Sequence, residues 1–169
     1  TLLILDEAYI DLAPPGTAPV GAPDHPQVIR FRTFSKGYGM AGLRVGYAIC
    51  AAPLAQAFDK IRNHFGMGRI AQAGALAALA DQDWLAHVQA RVAEGRDRLA
   101  SIARANGATP LPSATNFVTM DLGRDGDFAR ATLRALTDQG VFVRMPGVAP
   151  LDRCLRVSVG DSAALDIFA

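Results

Sequence analysis

At 169 residues and half hydrophobic by composition, the chain has room for one domain or slightly more around a buried core, and nothing in it suggests disorder. A formal net charge of +1, with no basic block, excludes the electrostatic footprint of a protein that grips nucleic acid or an acidic membrane surface. Two cysteines, Cys50 and Cys154, with no CxxC pair and no histidine cluster, exclude a metal centre of the usual ligand spacings and read as reduced core thiols.

In chain order, residues 1–5 form a continuous apolar run of the kind found in central parallel strands, with no cap or turn before it, so the chain is expected to begin in mid-fold. Asp6 ends that run and opens the tetrapeptide DEAY, placing a carboxylate at a strand C-terminus and the phenol of Tyr9 three residues on. Alone, Asp6 reads as a cap or turn residue and Tyr9 as a core aromatic. Residues 12–27, rich in Pro, Gly and Ala, read as a loop, and His25 within it has no partner suggesting metal binding.

A second strand follows from Val28, alternating apolar and basic, and it turns polar at residues 33–36 before Gly37, Gly39 and Gly42. Lys36 thus sits just past a buried strand, where open α/β sheets place ligands. Arg44 follows eight residues later, so an ammonium and a guanidinium can converge on an anion. The three glycines also spell GxGxxG, the dinucleotide fingerprint. That motif requires a helix to start at the glycines and an acidic residue to end the next strand. Here LRVGYAIC, a β-rich run, follows instead, and Asp59 falls in a helical pattern.

The run T-x-S-K, then eight residues to Arg, then GY, with D-x-A-Y about thirty residues upstream, resembles fold-type I pyridoxal-phosphate (PLP) aminotransferases, and most closely their histidinol-phosphate branch. The resemblance gives Lys36 a covalent attachment to the cofactor and, once substrate displaces it, the transfer of a proton at the substrate α-carbon. It gives Asp6 the protonated pyridine nitrogen, which the cofactor needs as an electron sink. Tyr9 would donate to the phenolic oxygen of the cofactor, and Arg44, Thr33 and Ser35 would hold its phosphate.

From Pro53 the pattern is helical, with Leu54, Ala57, Phe58 and Ile61 on one face and a break at residues 66–68. Residues 69–80 are alanine-rich and apolar on nearly all sides, which predicts a buried helix; residues 84–105 predict a long amphipathic one, with Arg91, Arg96, Arg98 and Arg104 on its solvated face. His64 and His87 fall in these helical patterns and read as ordinary. Asn106 and Gly107 should stop the long helix. Beyond lie expected strands at 116–122, 141–144 and 155–159 and helices at 128–139 and 161–169, a small α+β unit.

ATNFV at 114–118, GVFVR at 140–144 and LRVSVG at 155–160 resemble the same branch. The resemblance gives Arg156 the substrate carboxylate, Arg144 a second hold on substrate, and Asn116 a place in the same pocket. It implies an α/β fold: residues 1–82 as the second half of a large PLP domain with a mostly parallel sheet and flanking helices, and residues 83–169 as linking helix and smaller α+β domain. It covers only the later part of a family member, without the N-terminal arm, the phosphate cradle, the stacking aromatic and the asparagine before Asp6, so the chain is expected to be a fragment. The expected activity is transamination between an amino acid or amino phosphate, histidinol phosphate first, and a 2-oxo acid such as 2-oxoglutarate. An aromatic amino-acid aminotransferase, a related PLP decarboxylase and an aminotransferase-like sensor domain of a transcription regulator are the alternatives. No apolar stretch reaches the roughly twenty residues of a membrane span, and no signal peptide or repeat is visible, so a cytoplasmic protein is expected. The resemblance adds a homodimer with shared active sites.

Overall fold

The computed structural model describes residues 1–19 and 25–169; positions 20–24, inside the loop expected over 12–27, lie outside the described residues. The fold is α/β, in two compact units, Thr1–Gln89 and Ala90–Ala169. Among the described residues no helix is long and apolar enough to cross a membrane, and no cluster of His, Cys, Asp and Glu suits a metal ion. Both cysteines are free thiols; Cys154 is buried and Cys50 partly so.

The first unit carries the strands β1 (Leu3–Asp6), β2 (Val28–Thr33) and β3 (Gly46–Cys50) and the helices α1 (Ala52–Asp59) and α2 (Arg69–Ala80). The sheet order is β1-β2-β3. β1 runs parallel to β2, with Leu3 opposite Val28 and Asp6 opposite Phe31. β3 is antiparallel to β2, with Thr33 opposite Gly46. Of the two strand pairs in this unit one is therefore parallel and one antiparallel. The connection from Thr33 to Gly46 holds only a tight turn and a 3-10 helix at Ala41–Leu43, without the α-helix that usually carries a chain back for a parallel return.

Within residues 1–169 taken by themselves two apolar elements lack cover on one side. β1 has β2 as its one strand neighbour among the described residues, with Leu3 53 % and Ile4 62 % exposed. On α2 Ile70 is 80 % and Leu76 70 % exposed, and Ala71 is buried. Its inner face, Ala71, Ala75 and Ala78, packs on Phe34, Val45 and Tyr47. A small-residue stripe on one side is enough to seat the helix, so its larger apolar residues are left facing away. α1 ends at Asp59, which leaves Ile61 outside the helix and exposed, while Phe58 meets Phe31 edge-on at 6.4 Å between ring centroids.

The long helix α3 (Gln82–Ala105) crosses the division after Gln89 and stops as the sequence predicts. Gly107 adopts φ +75°, its N–H donates to the Arg104 carbonyl and that of Ala108 to the Ala103 carbonyl, the paired bonds of a Schellman motif. The second unit then forms an antiparallel sheet, β4 (Thr109–Pro110), β5 (Phe117–Asp121) and β6 (Cys154–Ser158), with α4 (Gly126–Asp138) and α5 (Ser162–Phe168). Aspartates cap both helices: Asp125 accepts from the Phe128 N–H at 2.9 Å and Asp161 from that of Ala164 at 2.8 Å. The core gathers Leu99, Ala103, Val118, Met120, Leu155, Val157 and Leu165. Gly95 lets α3 approach this layer, because a Cβ there would stand 2.3 Å from Val159 Cγ1.

The strand expected at 141–144 does not form. The Val141 N–H is taken by the Leu136 carbonyl at the end of α4, and only Arg144 bridges, to Arg156. Nor are all four arginines of α3 solvated. Arg96 is half-buried and donates to the Thr115 carbonyl at 3.0 Å, and Arg98 reaches Ser162 and Asp166 of α5.

One ion pair here gives a pH prediction. The Gly123 N–H and the Arg153 guanidinium both donate to Asp121 and hold its carboxyl below the usual carboxylate range. The unfolded chain takes up this proton first as pH falls. The contribution is therefore complete above about pH 4 and is lost as pH drops through the lower folded value. Asp121→Asn should lower stability at neutral pH by up to about 1 kcal/mol, as for solvent-screened pairs, and flatten the loss below pH 4 in urea titrations.

Candidate active site

Parallel pairing puts the C-terminal ends of β1 and β2 on one edge of the sheet, so Asp6 and the segment 33–36 emerge side by side. β3, running the other way, begins at that same edge, and Arg44 precedes it by two residues. The sequence thus folds five of its candidate groups to one end of one sheet.

Past β2 the chain leaves the ladder at Phe34, whose ring is 2 % exposed and whose N–H still reaches the Val45 carbonyl. The Ser35 N–H donates to Thr33 Oγ1 at 3.1 Å, and that hydroxyl donates on to Ser35 Oγ at 3.0 Å. The Gly39 N–H closes a turn onto the Lys36 carbonyl at 2.9 Å. Lys36 is half-buried, and its Nζ lies over the ring of Tyr9, 5.0 Å from the centroid. The lysine, the tyrosine and the paired hydroxyls are thereby brought together.

Asp6 and Arg44 stand at the same edge but hold local contacts. Asp6 Oδ1 accepts from the Ala8 N–H at 3.0 Å, and Arg44 donates from Nη1 to the Ala41 carbonyl at 2.8 Å. Arg44 has φ +54°, the one non-glycine residue with positive φ among those described. Left-handed backbone at such a residue is uncommon and collects at functional sites.

Sequence reasoning passed over Glu7, which at 6 % exposure is the buried charged residue among those described. Its Oε2 accepts from Arg32 Nε at 3.0 Å and its Oε1 stands 3.5 Å from Arg30 Nη1. The signal was present in R-x-R within a strand, since residues two apart share a face and want a common counter-ion. Burial opposes the charge on Arg32, but hydrogen bonds with Glu7 and Tyr47 outweigh it and raise its pKa. Burial also pushes the Asp11 carboxyl up, against the pull of Arg32.

In the second unit Arg144 and Arg156 are direct opposites across their bridge, each N–H bonded to the other's carbonyl. Directly opposed residues project to the same face, so two guanidinium-bearing chains stand together. Arg156 Cζ lies 4.8 Å from the Phe117 centroid and Arg144 Cζ 6.0 Å from that of Phe142. Asn116 stands just before β5, where its carbonyl accepts from the Val159 N–H at 2.9 Å.

The model of the family "Aminotransferase class I and II" matches residues 1–169. Histidinol-phosphate aminotransferase 2 of Methylococcus capsulatus is 40 % identical over an alignment that covers 99 % of this chain and 45 % of that protein. The enzyme of the same name from Thiobacillus denitrificans is 37 % identical over 98 % of this chain and 47 % of its own length. The crystal structure of histidinol-phosphate aminotransferase from Sinorhizobium meliloti in complex with pyridoxal-5'-phosphate superposes with a TM-score of 0.92 and 54 % identity, over 99 % of this chain and 46 % of that one. The chain spans about half the length of the relatives it matches. With the family model matched from end to end, this chain belongs to the class I and II aminotransferases.

Proposed function

We propose that this chain is the lysine-bearing part of a PLP-dependent transaminase that moves an amino group from histidinol phosphate to a 2-oxo acid such as 2-oxoglutarate. The observation that carries the reading is the Lys36 ammonium set over Tyr9 at the sheet edge where Asp6 and Arg44 also emerge. The donor set fits the cofactor: a primary amine for its aldehyde, a carboxylate for its ring nitrogen, and two hydroxyls with a guanidinium for a phosphate dianion. When bound, PLP supplies the electron sink.

In this reading Asp6 holds a proton on the ring nitrogen and Tyr9 donates to the ring oxygen. Thr33, Ser35 and Arg44 fix the phosphate. Lys36 anchors the cofactor and afterwards takes and returns the proton of the substrate α-carbon. Arg156 and Arg144 grip the anionic group of the substrate, aided by Asn116. An opposed guanidinium pair suits a phosphate dianion or a carboxylate, which is what a donor with phosphate and an acceptor with carboxylates require. Residues 1–82 then belong to the large cofactor domain and 83–169 to the linking helix and small domain. The family resemblance adds a homodimer with shared sites.

The test is the absorbance of the full-length protein loaded with PLP. A Lys36-dependent band near the visible edge should bleach on adding histidinol phosphate and return with 2-oxoglutarate. Bleaching by phenylalanine or tyrosine alone moves the donor class, and release of carbon dioxide identifies a decarboxylase. A stable band indifferent to every donor, in a protein carrying a helix-turn-helix module upstream, identifies a sensor. Absence of a Lys36-dependent band overturns the PLP reading.

A further inference from the structure

Asp6 ends β1 and Lys36 follows the end of β2, so their separation depends on how β1 is held against β2. β1 is short, and β2 is the strand it pairs with among the described residues. Backbone pairing alone holds it through four residues, and the Glu7 N–H extends the ladder by one bond to the Phe31 carbonyl at 2.9 Å. The side chain of Glu7 adds a crosslink immediately beyond Asp6. Arg30 and Arg32 share a face of β2 because strand side chains alternate, while Phe31 between them turns to the opposite face and meets Phe58. The Glu7 carboxylate straddles these two guanidiniums, hydrogen-bonded to Arg32 at 3.0 Å and ion-paired with Arg30 at 3.5 Å.

The crosslink continues across the sheet. Arg32 is directly opposite Tyr47 of β3 and hydrogen-bonds it, while Arg30 is tied by Nη2 to the Pro19 carbonyl at 2.6 Å. Glu7, Arg32 and Tyr47 thus form a row over all three strands, one residue before Thr33 and four before Lys36. A surface ion pair would hold little, but this carboxylate is nearly excluded from water, and breaking a buried pair from one side leaves an uncompensated charge.

We propose that Glu7 is a positioning residue, its carboxylate clamped by Arg30 and Arg32 so that Asp6 at the end of β1 is fixed relative to Lys36 beyond β2. The inference deepens the PLP reading and rests on it. Glu7 touches no reacting atom in this scheme. It acts through Asp6, whose own carboxylate accepts from the Ala8 N–H of its turn. A small displacement of a group aimed at a reacting system is enough to slow it greatly.

The experiment is a double-mutant cycle in the full-length protein, using Glu7→Gln, Asp6→Asn and the pair. Three quantities are measured: PLP dissociation constant of the apoprotein, half-reaction rate per bound PLP, and Tm. Glu7→Gln should weaken PLP binding and slow the half-reaction by roughly tenfold each, with the KM for the amino donor nearly unchanged. In the Asp6→Asn background the same change should cost less than about twofold, because the residue it acts through is already disabled. Arg32→Lys, which keeps the charge but loses the guanidinium fork, should repeat the effect in milder form and carries the test if Glu7→Gln does not fold. Equal costs in both backgrounds overturn the proposal, as does a fall in Tm with PLP binding and rate unchanged. A silent Glu7→Gln in a protein that loads PLP through Lys36 sinks the positioning role alone. A wild-type protein that forms no Lys36 linkage sinks both readings.

Discussion

Lys36→Ala is expected to lower the half-reaction rate by about 10²- to 10⁴-fold, the scale of losing a positioned general base, with little change in Tm. Lys36 packs into no apolar core; its Nζ lies over Tyr9 in a half-buried position, so truncation removes chemistry and not structure. The turn that presents it is made by backbone, from the Gly39 N–H to the Lys36 carbonyl, and survives the change. Two functions go at once, the covalent anchor and the proton carrier. They separate on adding a small primary amine, which can occupy the vacated space and move the proton but cannot anchor the cofactor to the chain. Stopped-flow absorbance with and without the amine checks both. A residual rate within tenfold of wild type would remove Lys36 from the mechanism.

Arg156→Ala should reduce kcat/KM for a phosphate-bearing donor by about 10²- to 10³-fold, the cost of leaving a bound anion without its charged partner. Stability should respond differently. Arg156 is the backbone partner of Arg144, and like charges directly opposite cost a few tenths of a kcal/mol or more; its contact with Phe117 returns a similar amount, about 0.5–1 kcal/mol. The two nearly cancel. Urea titration should find the variant within about 0.5 kcal/mol of wild type while its activity collapses. Arg156→Lys should fall between, keeping charge without the fork. A variant that loses stability and activity together would make Arg156 a structural residue.

The sheet edge that gathers the site was legible because each strand ends in a change of chemistry: Asp6 after an apolar run, and Thr33 to Lys36 after an alternating one. The stop of α3 was legible too, since Asn106-Gly107 acts through its own neighbours. What escaped depends on partners distant in sequence. The direction of β3 follows from the content of its connection, not from its own β-rich residues. The segment after Gly140 has strand composition, yet its first N–H is claimed by the preceding helix. Hydrophobicity at Ile70, Leu76 and Ile4 reports what wants covering, and burial is decided by what lies opposite. Glu7 looked like one more surface charge because its two arginines lie more than twenty residues away.

The exposed edge of β1 governs how this polypeptide must be handled. From Leu3 to Leu5 the strand is apolar, uncharged and free of proline, and its outer row of N–H and C=O groups has no strand beside it among the described residues. Such an edge is a template on which another chain can add a strand. Recovery of soluble material from residues 1–169 produced alone therefore falls as concentration rises, because docking within one molecule is a first-order event and polymerisation along the edge is not.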